Sequence, residues 1–124
     1  MPKLYILSGF SLSMLPIPCY VHLAITEITC DFARVIINSA RRTGREIVSA
    51  VGHESTAKIL SELLGIEVPV NRIMVKLEEG DEAIIFQLFT RLAEGKVLNR
   101  SELEELMAKG LAKLLYLNIK TLVK

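Results

Sequence analysis

The densest chemistry in the sequence lies in Val48-Ser49-Ala50-Val51-Gly52-His53-Glu54-Ser55-Thr56. A β-rich run ends there, Gly52 permits a sharp turn, and His53 stands at or just before a helix N-terminus. Open sheets bind ligands beyond the carboxyl ends of their strands. The first turn of a helix adds unpaired N–H groups and positive potential, which suit an anion. Ser55 and Thr56 supply hydroxyl donors. A phosphate held there would lie beside His53, a residue type that exchanges protons near neutral pH. The same residues also suit a plainer duty, with His53 capping the helix and Ser55 and Thr56 filling its first turn.

A second cluster is Gln87, Arg91 and Glu94. Gln87 follows Ile84-Ile85-Phe86, and a polar amide in an apolar run needs a partner or a pocket. Arg91 and Glu94, three apart, would share one side of a helical turn. Arg91 would then neutralise a phosphate while Glu94 orients it; the alternative is a weak surface ion pair. Arg72 is either an anion ligand or a strand-edge arginine. Phe10, in the turn Ser8-Gly9-Phe10-Ser11, is either a base-stacking ring or a core aromatic. No Gly-rich phosphate loop and no paired-carboxylate metal site is present in the sequence. Phosphodiester chemistry here would therefore run without metal, and no cofactor is expected.

Elements must position these residues. Lys3–Leu7 reads as a strand ended by Ser8-Gly9, and Ser11–Leu15 as one helical turn before Pro16 and Pro18. Tyr20–Ile25 alternates as a second strand. Thr29 or Asp31 caps a helix in which Phe32, Val35, Ile36 and Ala40 recur at helical spacing, with Gly44 as its stop. Residues 45–51 form a third strand, followed by a helix that shows Thr56, Ile59, Leu60, Leu63 and Leu64 on one face and stops at Gly65. Asn71–Leu77 and Glu82–Phe89 read as a hairpin across Glu78-Glu79-Gly80-Asp81. Ser101 and Glu104 form a capping box for a short helix, and Leu114–Ile119 a last strand. The pattern predicts one α/β or α+β domain over residues 1–124, with a mixed sheet covered by helices.

Composition narrows the classes. The 124 residues are 51% hydrophobic, which allows a real core and suggests apolar surface for a second subunit. Fifteen basic against fourteen acidic side chains, net +1, argues against general duplex nucleic-acid binding. Cys19 and Cys30, with His22 and His53, fit no disulfide scaffold or zinc spacing. Ser8, Gly9, Ser11, Ser13, Pro16 and Pro18 break the apolar start, so neither a signal peptide nor a membrane span is expected, and the chain reads as cytoplasmic.

Five segments occur in an order that carries a resemblance. They are Ser8-Gly9-Phe10-Ser11-Leu12-Ser13-Met14-Leu15, Gly52-His53-Glu54-Ser55-Thr56, Asn71-Arg72, Glu79-Gly80-Asp81-Glu82-Ala83 and Arg91-Leu92-Ala93-Glu94-Gly95-Lys96-Val97-Leu98. Together they span nearly the whole chain, which resembles the small viral and prophage ring nucleases that act as anti-CRISPR proteins against type III systems. The family's first motif reads Asn-Ala-Phe-Ser; here Ser8 and Gly9 stand in place of Asn and Ala.

The resemblance implies a homodimer in the cytoplasm of a prokaryotic host cell. It also implies degradation of cyclic tetra-adenylate, the second messenger of type III CRISPR systems, to linear di-adenylate ending in a 2′,3′-cyclic phosphate. By motif, His53, Arg91 and Glu94 take the catalytic positions. Ser8, Gly9, Phe10, Ser11, Ser55, Thr56, Arg72 and Gln87 take substrate-contacting positions. In that scheme a ribose 2′-hydroxyl attacks its neighbouring phosphorus, His53 protonates the leaving 5′-oxygen, and Arg91 stabilises phosphoryl charge. Glu94 either fixes Arg91 or favours the protonated imidazole. Three alternatives come from other classes: a module that sequesters a cyclic nucleotide without turnover, a small viral DNA-associated regulator, and a plain oligomeric structural protein. Near-zero net charge disfavours the DNA-associated regulator.

Overall fold

A computed structural model of the chain describes residues 2–91 and 98–124. Its sheet is five-stranded and mixed, in the order β2-β5-β4-β1-β3, with β1 Leu4–Leu7, β2 Tyr20–Glu27, β3 Ile47–Ser49, β4 Glu82–Leu88 and β5 Ala112–Val123. β1 runs parallel to both β3 and β4, while β5 runs antiparallel to β4 and β2. The register places Ile6 beside Ser49 on one side and Ile84 on the other.

Alternation along the strands sends side chains to both faces, and both faces are buried. Leu4, Ile6, Ile84, Phe86 and Leu114 meet α1 (Cys30–Arg42), α2 (Glu54–Leu64) and α3 (Arg100–Ala108) on one face. Tyr5, Leu7, Ala83, Ile85, Leu117 and Ile119 make a second core on the other. That second core is closed by irregular chain: Phe10, Met14 and Leu15 from one segment, Val75 and Leu77 from another. Burial of each large aliphatic side chain contributes about 1.5–3 kcal/mol, so irregular segments with such residues cover a sheet as effectively as helices do.

The fold is the expected single α+β domain, with particular corrections. Asn71–Leu77 is no strand and makes no hairpin with β4; among the described residues the nearest ladder contact is the bridge of neighbouring Val70 to Val51. The reason is steric, because β1 and β5 already occupy the two edges of β4. The alternating Val75 and Leu77 instead face the second core. The turn itself is real: Gly80 has φ +88°, and an added Cβ there would lie 2.9 Å from Pro2 Cγ. The capping box of α3 is Asn99 with Glu102, not Ser101 with Glu104, so the helix begins earlier. On α1, capped by Thr29, the buried stripe is Ala33, Ile37 and Ala40. Phe32 and Val35 of the expected stripe are exposed, a rotation by about one residue. Cys19 and Cys30 are free and half-buried, one against each core.

Candidate active site

β4, β1 and β3 are neighbours and parallel, so their carboxyl ends lie at one edge of the sheet. Ser8-Gly9-Phe10 leaves β1 there, Gly52-His53 follows β3, and Phe89 to Arg91 follows β4. The chain leaves β3 on one side of β1 and returns as β4 on the other. Open sheets commonly bind ligands at such a reversal, beyond the carboxyl ends of the strands.

His53 is the N-cap residue of α2, with extended backbone and no side-chain capping bond. Its side chain is exposed. The capping duty weighed for it is therefore one its imidazole does not perform. Ser55 and Thr56 lie half-buried in the first turn of α2. The turn that carries His53 is tied from below. Asn71 Nδ2 donates to Ser49 O at 2.7 Å, and Asn71 N–H to Val51 O at 2.8 Å. Ser49 Oγ, buried, donates to Pro69 O at 2.7 Å.

Arg72 lies across this turn. Its Nε donates to Gly52 O at 2.8 Å, and a Cβ on Gly52 would sit 3.4 Å from Arg72 Cγ. The exposed Arg72 side chain thus packs against Gly52, the residue that precedes His53. Arg91 is also exposed and makes no ion pair among the described residues. Glu94 lies outside the described residues. His53, Arg72 and Arg91 are all exposed at this end of the sheet, with no acidic side chain bonded to them among the described residues.

Other expected contacts have structural duties. Gln87 finds the partner its apolar setting demands: Phe10 N–H donates to its Oε1 at 3.2 Å, and its Nε2 donates to Leu88 O at 3.2 Å. Gln87 therefore pins the loop after β1 to the end of β4. Phe10 itself is half-buried and packs against the second core. Ser11 caps the short helical turn Leu12–Met14, its Oγ accepting from Ser13 N at 3.3 Å. Ser8 is exposed. Gly9 has room for a Cβ, at 3.6 Å from Gln87 Oε1, so the alanine of the family pattern would fit there.

Sequence reasoning missed the parts played by three residues. Asn71 and Ser49 hold the His53 turn; an isolated serine within Ile47–Val51 was the available signal. Lys113 has the charge and spacing of a solvated helix face. It lies instead on β5 opposite Gln87, 3.5 Å from Glu27 and over the ring of Phe89. Only the β4–β5 pairing, a long-range contact, brings it there.

A concavity of about 340 Å³, lined in part by Leu4, Arg45, Glu82 and Tyr116, lies at the opposite end, where β1 and β4 begin. Its Arg45 and Glu82 are paired with each other, so it lacks the free cations of the His53 end. Among the described residues no three His, Cys, Asp or Glu side chains group as a metal site. No helix among them is long and apolar enough to cross a membrane.

Comparison with known proteins finds relatives in archaeal viruses. It is 39% identical over 104 residues to uncharacterized protein 26 of Sulfolobus islandicus filamentous virus, covering 83% of each chain. It is 32% identical over 121 residues to uncharacterized protein ORF116 of Acidianus filamentous virus 1, covering 96% of this chain and 97% of that one. The structure of B116 of Sulfolobus turreted icosahedral virus has the same fold, with TM-score 0.75 and 29% identity over 94% of this chain and 98% of that one. Residues 4–112 match the STIV B116-like family, and the chain belongs to it.

Proposed function

We propose that the protein is a metal-independent ring nuclease that converts cyclic tetra-adenylate to linear di-adenylate with 2′,3′-cyclic phosphate ends, and so silences type III CRISPR signalling in a prokaryotic host cell. The observation that carries this reading is His53: an exposed histidine at a helix N-terminus, uncommitted to capping, with Arg72 held against the turn that bears it. Cleavage by the internal 2′-hydroxyl needs in-line geometry, a proton for the leaving 5′-oxygen and neutralisation of phosphoryl charge. The attacking 2′-hydroxyl would release its proton to solvent water as the bond to the 5′-oxygen breaks, His53 would supply the proton that the 5′-oxygen takes up, and Arg91 and Arg72 the charge. N–H groups of the first turn of α2 would hold a phosphate oxygen.

A homodimer belongs to this reading. His53, Arg72 and Arg91 are all exposed in one chain, so the site is open. Leu12, Ile17, Ile73 and Met74 stand exposed on the two segments that cover the second core. A second copy seated there would bury them and enclose the site, and a twofold ring suits a twofold dimer. Incubation of the purified protein with cyclic tetra-adenylate, followed by chromatography, tests the reading. Linear di-adenylate is the expected product. Tight binding without product would instead assign the protein as a sequestering module, and absence of binding would remove the oligoadenylate reading.

A further inference from the structure

Phe89 has no part in the proton and phosphate chemistry, yet it stands exposed at the carboxyl end of β4, two residues before Arg91. It follows Leu88, the last residue of β4, and its N–H donates to Leu111 O at 2.8 Å, so its backbone is anchored to the chain entering β5. Its side chain is 56% exposed. Alternation from Ala83, Ile85 and Gln87 places it on the face of the second core. Lys113 confirms that placement: it pairs with Gln87 across the β4–β5 ladder and lies over the Phe89 ring, 5.6 Å from its centroid. Glu27 Oε1 stands 3.5 Å from the same ammonium.

An aromatic ring left in water at the end of a strand forgoes the burial that its neighbour Phe86 achieves in the core. Here the ring is also oriented, with a carboxylate-restrained cation against one side. The ring stands two residues before Arg91 and on the same strand end as Gln87, whose amide holds the loop after β1. Every nucleobase offers a π face, and exposed aromatics beside cationic grooves take bases by stacking. We infer that Phe89 is a stacking platform for one adenine of the bound oligoadenylate, with Lys113 and Glu27 setting the ring's orientation. The inference rests on the proposed function and divides the labour: arginines read phosphate charge, and Phe89 reads the base.

The protein has no tryptophan, so Phe89→Trp installs a single fluorescent reporter at the point in question. Binding is measured in a His53→Ala background, which holds the ring without cutting it. Cyclic tetra-adenylate is titrated by calorimetry into that parent and into its Phe89→Leu, Phe89→Ala and Phe89→Trp derivatives. Phe89→Leu and Phe89→Ala are expected to weaken binding by about 5- to 100-fold. Their thermal midpoints should stay unchanged, because the side chain is exposed. Phe89→Trp is expected to keep parental affinity, with its emission quenched on saturation. A parent that binds while Phe89→Leu binds within twofold of it, with no quenching of the tryptophan, overturns the platform and leaves the ring-nuclease reading standing. A parent that fails to bind removes both.

Discussion

Replacing His53 by alanine separates chemistry from folding more cleanly than any other change in this chain. The imidazole is exposed and makes no capping bond, so its removal strands no donor and opens no cavity. The change in stability should stay within about 0.5 kcal/mol, as for surface substitutions away from caps and cores. The rate should fall steeply, because a positioned general acid contributes about 10²–10⁴. At about 1.36 kcal/mol per factor of ten, that is about 3–5 kcal/mol of transition-state stabilisation. The proton moves only in the transition state, so ring affinity should change by less than a few-fold. Single-turnover cleavage of cyclic tetra-adenylate with enzyme in excess reads the rate, and calorimetry and thermal melting read the rest. A variant that cuts at the wild-type rate would remove His53 from the mechanism. One that melts several degrees lower would show that His53 has a structural duty.

Other outcomes follow from particular contacts. Arg72→Ala should weaken ring binding and turnover by about 10- to 100-fold, the range for a charge-assisted hydrogen bond. Arg72→Lys should not restore them, since an ammonium has no Nε to keep the Gly52 O bond while facing phosphate. Asp81, 3% exposed, accepts Lys3 N–H at 2.9 Å and Glu78 N–H at 2.8 Å. Asp81→Ala should therefore cost about 1–3 kcal/mol, measured by denaturant titration, as two part-buried backbone donors lose their acceptor. Burial, and then the charge of Asp81, raise the Tyr5 phenol above the usual 10.0. The folded state thus keeps its proton longer than the unfolded chain. Stability from this source is complete below pH 10 and declines as pH rises toward the folded value. Tyr5→Phe should flatten that alkaline decline in unfolding curves taken across pH 8–11. Light scattering at micromolar concentration should give twice the 13.8 kDa chain mass; a clean monomer with and without ring would exclude the shared site.

Local signals carried much of this molecule. The Thr29 cap, Gly65 at φ +68° and the Gly52-His53 turn are set by a few neighbouring residues, and each lies where its residue types place it. What escaped is set by distant chain. Asn71–Leu77 has the alternation of a strand, yet strand pairing is decided by free edges, and β4 has none left for it. Phe32 and Val35 have helical spacing, but which stripe of α1 turns inward depends on the layer beneath. In the candidate site, His53 and Arg72 were legible from type and position. Gln87 was legible as a polar group in need of a partner, and only the fold shows that partner to be Phe10 N–H. Lys113 and Phe89 had no local signature, because the β4–β5 register brings them together.

The central claim is that the edge formed by the ends of β1, β3 and β4 breaks a phosphodiester by internal attack, without metal. The direct measurement is mass spectrometry of the products of cyclic tetra-adenylate cleavage by the wild-type protein in excess EDTA. The account predicts linear di-adenylate carrying a 2′,3′-cyclic phosphate and a 5′-hydroxyl, formed at the same rate as without chelator. A 5′-phosphate product, or cleavage abolished by EDTA and restored by Mg²⁺ or Mn²⁺, would contradict it.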